Sequence, residues 1–189
     1  MKYRRLFGAA AALCFSTVAA ASAATSWLDR KPVASWNKAG AAVPRAGKGD
    51  ASNDARCASG ARKPAAADDR RVVAAGWKLV GARQSFGATT VVQGAAGFDG
   101  MCRWAGYQAF VFVNGTYAGT LAPKAMDSRT DGALDTVHLA SSNQFTADFV
   151  RYADTDPLCC PTRTSYVTYA IARGPVVRAT EVTTTANAH

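Results

Sequence analysis

One stretch constrains the fold more than any other: Asp156-Pro157-Leu158-Cys159-Cys160-Pro161-Thr162 places adjacent cysteines between two prolines. Proline has a fixed φ and no N–H, so such a run cannot be a regular helix or an interior strand. It is expected to be a rigid loop around which the flanking strands are built. Its cysteines gain meaning from the start of the chain, where Lys2, Arg4 and Arg5 precede an apolar run from Leu6 to Ala21 and the small-residue triplet Ala21-Ser22-Ala23. That is the layout of a secretory signal peptide, with cleavage expected after Ala23. Leu13 directly precedes Cys14 and the apolar run continues past it, which argues against lipidation of Cys14. No later stretch is long and apolar enough to span a bilayer, so no transmembrane segment is expected.

Export would leave Cys57, Cys102, Cys159 and Cys160, an even number in an oxidising periplasmic or extracellular compartment, and therefore two structural disulfides. Four cysteines allow three pairings. A bond between Cys159 and Cys160 would close a small strained ring across one peptide bond. The favoured patterns join Cys57 and Cys102 separately to the two adjacent thiols.

About 165 residues after cleavage suit one domain with a real core. The chain carries 22 Lys/Arg against 13 Asp/Glu, a formal charge of +9. Loss of the three signal-peptide cations leaves about +6. A positive field of this size favours an anionic cell-envelope component, or an envelope protein, as partner, although it also serves simply as a solubilising surface.

Residues 24–66 are rich in Ala, Gly, Pro and Lys/Arg without a sustained period, and read as a basic, mostly irregular N-terminal arm. Trp27 and Trp36 are costly to leave in water, so parts of the arm should lie against the domain, with Cys57 anchoring its far end. A short helix is predicted from Asp68 to Gly76, acidic at its start and stopped by glycine, with Val72, Val73 and Ala75 facing something apolar. From Trp77 the pattern becomes β. The predicted strands are Trp77–Phe86, Thr89–Gln93, Tyr107–Val113, Thr116–Leu121, Ala133–Ala140, Phe145–Tyr152, Thr164–Ala172 and Val176–Val182, with Gly94–Gly100 as a glycine-broken link. Asn114-Gly115 between two of these runs is the strongest hairpin signal, since both turn positions need φ > 0. Ala109 to Val113 is apolar on both faces, which places that strand centrally, with one face under the helix or the arm. The expected fold class is α+β: an antiparallel β-sheet of about six to seven strands with one short N-terminal helix, disulfide-stapled, as a single domain over 67–182 and a disordered tail at 183–189.

The Asp156-to-Thr162 run, the Val167-Thr168-Tyr169 strand and the Phe110-Val111-Phe112-Val113-Asn114-Gly115 hairpin resemble the LppP/LprE family of bacterial envelope lipoproteins. The Ala75-Gly76-Trp77 helix exit and the segment from Met126 to Gly132 extend the resemblance over roughly residues 67 to 178. It implies an exported domain and supplies no catalytic residues to carry over.

The other constellations point away from chemistry. A Ser-His-Asp set would have to use His138 or the terminal His189, and no G-x-S-x-G elbow accompanies them. Cys159 and Cys160 lack the C-x-x-C spacing of a redox enzyme and the neighbouring ligands of a zinc site. Asp127, Asp131, Gly132 and Asp135 approach a calcium loop, but Arg129 stands where a ligand belongs and His138 takes the twelfth place. These acids are expected instead to pair with Arg129 and to cap turns. Arg103-Trp104 and Arg151-Tyr152 are too dispersed for a nucleic-acid surface. The sequence thus favours an exported, non-enzymatic binding or envelope-structural protein with no cofactor or metal. The alternative is a small envelope hydrolase or carbohydrate-active enzyme using Asp residues of the 127–135 loop.

Overall fold

The computed structural model describes residues 26–188, so the signal-peptide and Cys14 readings lie outside the described residues. Among the described residues, two short α-helices, α1 (Ala51–Arg56) and α2 (Ala67–Ala74), precede eight strands. These are β1 (Lys78–Phe86), β2 (Thr89–Phe98), β3 (Trp104–Val113), β4 (Thr116–Thr120), β5 (Ala133–His138), β6 (Gln144–Arg151), β7 (Arg163–Ala172) and β8 (Val176–Ala186). The fold is mostly antiparallel β. The single sheet of six to seven strands is corrected to two four-stranded sheets, ordered β1-β2-β3-β4 and β5-β6-β7-β8.

The split follows from where apolar side chains must go. Inward residues of both sheets, among them Val80, Val91, Ala109 and Val111 from the first and Val137, Phe145, Phe149, Val167 and Tyr169 from the second, share one core. Each such valine or phenylalanine withdrawn from water contributes about 1.5–3 kcal/mol before the entropy of ordering it is counted. The other face of the first sheet has a core of its own. There Val72 of α2 packs with Trp77, Leu79, Val92, Phe110 and Phe112, and Val43 and Ala46 of the arm close the edge. β3 is therefore apolar on both faces because it lies between two cores, as its composition predicts. Two buried phenols cross between the sheets: Tyr107 donates to the Leu134 carbonyl at 2.6 Å, and Tyr169 donates to that of Leu121. Burial pushes both phenol pKa values upward, so they stay protonated donors.

The Asn114-Gly115 turn is found where it is predicted, with φ of 48° and 72° and Val113 paired to Thr116. Gly94 and Gly97 do not break β2. A Cβ on Gly94 would lie 2.9 Å from Trp77 Cβ and 3.1 Å from Val72 Cγ1, and one on Gly97 would lie 2.8 Å from Asp54 Oδ1. These glycines admit α1, α2 and their flanking segments close to the sheet, a use of glycine that looks like a break in sequence. In α2 the side of Val72 is buried, whereas Val73 is 42% exposed, contrary to expectation. The last strand also runs to Ala186, past the predicted start of the tail, and the Asn187 N–H donates to Thr162 at 2.8 Å.

The arm is an integral part of the sandwich. Leu28 is buried, Trp27 stacks edge-on against Trp36 and Phe149, and Trp36 Nε1 donates to the Thr120 carbonyl at 3.1 Å. Asn37 bridges the two sheets. Its Nδ2 donates to the Thr120 carbonyl of β4 (2.9 Å) and the Val177 carbonyl of β8 (3.0 Å), while its Oδ1 accepts from the Thr120 N–H (2.9 Å). Gly119, at φ +134°, leaves the room that this amide occupies. One side chain of the arm thus caps outward-facing backbone groups of Thr120 and Val177 on two edge strands that would otherwise be open to pairing.

Candidate functional site

The disulfides are Cys57–Cys102, with Cα atoms 5.3 Å apart, and Cys159–Cys160, with Cα atoms 3.8 Å apart. The expected joining of Cys57 and Cys102 to the adjacent pair is corrected. The reason lies in α1, whose Asp50 caps its start by accepting from Ser52 and Asn53. Asp54 then takes the Phe98 N–H and pairs with Lys78 at 2.8 Å, and Arg56 reaches the Gly100 carbonyl at 2.6 Å. These contacts set α1 on the corner between β2 and β3, where Cys102 sits at φ +60° in a turn held by the Asp99 carboxylate. Cys57, immediately after α1, is delivered to that corner and is 1% exposed. The adjacent cysteines belong to the β6–β7 connection in the other sheet and bond to each other.

That connection follows the end of β6, where Asp131 of the 127–135 loop meets Arg151 and the Tyr152 N–H. Arg151, at the end of β6, is turned inward in phase with Phe145, Ala147 and Phe149 and is 2% exposed. Its Nη1 and Nη2 donate to Asp29 of the arm (3.0 and 2.7 Å), its Nε donates to Asp131 (2.8 Å), and Nη1 also reaches Ser165 Oγ (3.1 Å). Burial works against the Arg151 charge, and the hydrogen bonds and charges of Asp29 and Asp131 more than offset it. The same hydrogen bonding holds the Asp29 carboxyl below its ordinary pKa. The strand alternation alone placed Arg151 on the inward face, and an inward arginine demands acid partners; that signal was present in the sequence.

The acids of the 127–135 loop divide among separate tasks. Asp127 accepts the Gly106 N–H at 2.7 Å, Asp131 takes Arg151 and the Tyr152 N–H at 3.0 Å, and exposed Asp135 accepts from Thr136 Oγ1 at 3.2 Å. Of these acids Asp131 takes an arginine, and it is Arg151 rather than the expected Arg129, which is exposed and takes φ +62° in the loop. Asp127 and Asp131 line one cleft of about 560 Å³ with Trp27, Arg30, Lys124 and Met126, and Asp135 lines another. His138 lies on the outer face of β5, 51% exposed, with Nε2 2.8 Å from Asp148 Oδ2. Arg103 pairs with Asp99 at 2.6 Å, while Trp104 packs edge-on against Tyr107.

From β6 the chain enters the di-cysteine loop. Asp156 Oδ2 accepts from the Ala153 N–H (2.8 Å), the Thr162 N–H (2.9 Å) and Thr162 Oγ1 (2.8 Å), and so closes the base of the loop. Tyr152 Oη donates to the Leu158 carbonyl at 3.1 Å, the Cys160 N–H donates to Pro157 at 2.9 Å, and Asn187 Nδ2 donates to Pro161 at 2.7 Å. At the tip Leu158 is 60% exposed and Cys159 is exposed, while Cys160 is half-buried.

Residues 87–174 match the family model of the LppP/LprE lipoproteins. The matched segment runs from the β1–β2 turn through β7. It is narrower than the expected 67 to 178 and contains Cys102 and both adjacent cysteines but not Cys57. A lipoprotein-family match points to an envelope-associated protein, and among the described residues no helix is long and apolar enough to cross a membrane. No curated protein and no solved structure matches the chain.

Proposed function

We propose, for a chain that matches the LppP/LprE lipoprotein family over residues 87–174, an exported envelope domain that acts by binding through the outer face of its second sheet. The observation that carries this reading is the inequality of the two sheets. The outer face of the first is sealed by α2 and the arm, whereas the outward residues of β6 and β7 (Thr146, Asp148, Thr164, Tyr166, Thr168) are half-buried or exposed, with Tyr166 at 43%. Tyrosine offers a large, stiff contact area with a polar tip, and the threonines around it offer hydroxyls on a regular strand spacing. The positive net charge of the chain would bring it toward anionic envelope polymers or head groups.

The competing hydrolase reading draws on Asp127 and Asp131, which share a cleft, but Asp131 is committed to a buried arginine. Co-sedimentation of the exported protein with isolated cell-wall polymer, and separately with vesicles of anionic phospholipid, tests the proposal. Binding should weaken with added salt, and Tyr166→Ala with Thr168→Ala should reduce it without moving the melting temperature. Turnover of envelope glycan that Asp127→Asn abolishes, with no salt-sensitive binding to either material, would replace the binding reading with the enzymatic one.

A further inference from the structure

We infer that Cys159–Cys160 is a thiol-exchange site, reactive toward low-molecular-weight thiols, carried on a loop whose shape does not depend on the bond. Its two sulfurs are one residue apart, so the bond ties no distant segments together. The loop-closure entropy through which a disulfide constrains the unfolded chain has almost nothing to act on here. The Cys57–Cys102 bond is the contrast: it closes 45 residues and is buried at the Cys57 end. One disulfide staples the fold, and the other has no comparable structural work to do.

Access and framing agree with this division. Cys159 is exposed at the tip of the loop beside exposed Leu158, while Cys160 is half-buried against the loop base. The loop is held by the Asp156 carboxylate, by Tyr152 Oη and by Asn187 of the C-terminal strand extension, none of which involves sulfur. Opening the S–S bond therefore leaves the loop base and the anchored Leu158 and Pro161 carbonyls in place, with both thiols still adjacent for re-oxidation.

The reaction follows from the exposure. A thiolate RS⁻ attacks Cys159 Sγ along the S–S axis, the bond to Cys160 breaks, and Cys160 leaves as a thiolate and takes a proton from water. The product is a mixed disulfide between Cys159 and R. A second thiolate attacks the sulfur of R, releasing RSSR and the Cys159 thiolate, which is protonated in turn. In sum two thiols are oxidised to one disulfide and the protein pair is reduced by two electrons.

The test uses the wild-type exported chain under native conditions. Glutathione is added, the reaction is quenched with acid at intervals, free thiols are alkylated, and the modified peptides are mapped by mass, with thermal melting measured in parallel. Expected are a glutathione adduct on Cys159 and then labels on both adjacent cysteines, about tenfold or more faster than any label on Cys57 or Cys102, with the melting temperature unchanged. Labels that appear on all four cysteines together, and only as the protein unfolds, would overturn the proposal. A peptide linking Cys57 or Cys102 to the di-cysteine loop before reduction would overturn it as well. As a check that does not rely on reduction, Cys160→Ser leaves Cys159 as a single thiol that should take up glutathione from glutathione disulfide in the folded protein; failure to react would count against the site.

Discussion

Replacing Asn37 by alanine tests whether the N-terminal arm is part of the fold or an appendage. The amide of Asn37 makes three hydrogen bonds of 2.9–3.0 Å to the edges of β4 and β8, and all three are lost together. A typical intramolecular hydrogen bond contributes about 0.5–1.5 kcal/mol net, and a donor or acceptor left without a partner costs more. The seam is only partly buried, so water can replace some of the lost bonds, and the expected destabilisation is about 2–3 kcal/mol. For a domain of this size that corresponds to a fall of about 5–10 °C in melting temperature. Asn37→Asp sharpens the test. A carboxylate would accept from the Thr120 N–H but would face the Thr120 and Val177 carbonyls without a donor, so its folded-state pKa should lie above its unfolded value. The repulsive penalty is then absent below the unfolded pKa and grows as pH rises through the folded one. Urea titrations of the two variants and the wild type at pH 4 and pH 7, with matched thermal melts, supply the data. An alanine variant that melts within a degree of wild type would refute the idea that this side chain joins the sheets.

Two further predictions concern the pairs that hold the first sheet. Asp69 is fully buried, and the Arg62 guanidinium beside it (2.7 and 2.8 Å), together with the Ala65 and Ala66 N–H groups, holds its carboxyl down to about 2 from an ordinary 3.8. Its folded pKa is depressed, so about 2 kcal/mol of stability is present above pH 3.8 and lost as pH falls through about 2; Asp69→Asn should therefore be much less stable than wild type at pH 6 and approach it near pH 2, as acid-series urea titrations would register. The double change Cys57→Ser with Cys102→Ser opens a 45-residue loop and should cost about 4 kcal/mol, whereas Cys159→Ser with Cys160→Ser should cost little; denaturant midpoints in the reverse order would contradict the assigned roles.

What the sequence by itself determined was local. The Asn114-Gly115 turn, the alternation of β6, the two-sided apolar run of β3 and the glycine stop after α2 all rest on backbone sterics or on side-chain period, which a few consecutive residues express in full. The proline-flanked cysteines likewise announced a loop. Pairing was another matter, because it depends on which thiols the fold brings together. Only α1, set on the β2–β3 corner by Asp54 and Arg56, gives Cys57 to Cys102 and leaves Cys159 and Cys160 to each other. The division into two sheets was equally a tertiary decision. Eight antiparallel strands can extend one sheet or fold over into two, and nothing in strand periodicity separates the cases. The choice is made by total burial, with Val80, Val111, Phe149 and Tyr169 sharing one core, and by Asn37, an ordinary polar residue in an irregular arm, whose amide meets two edge strands that are distant in the chain.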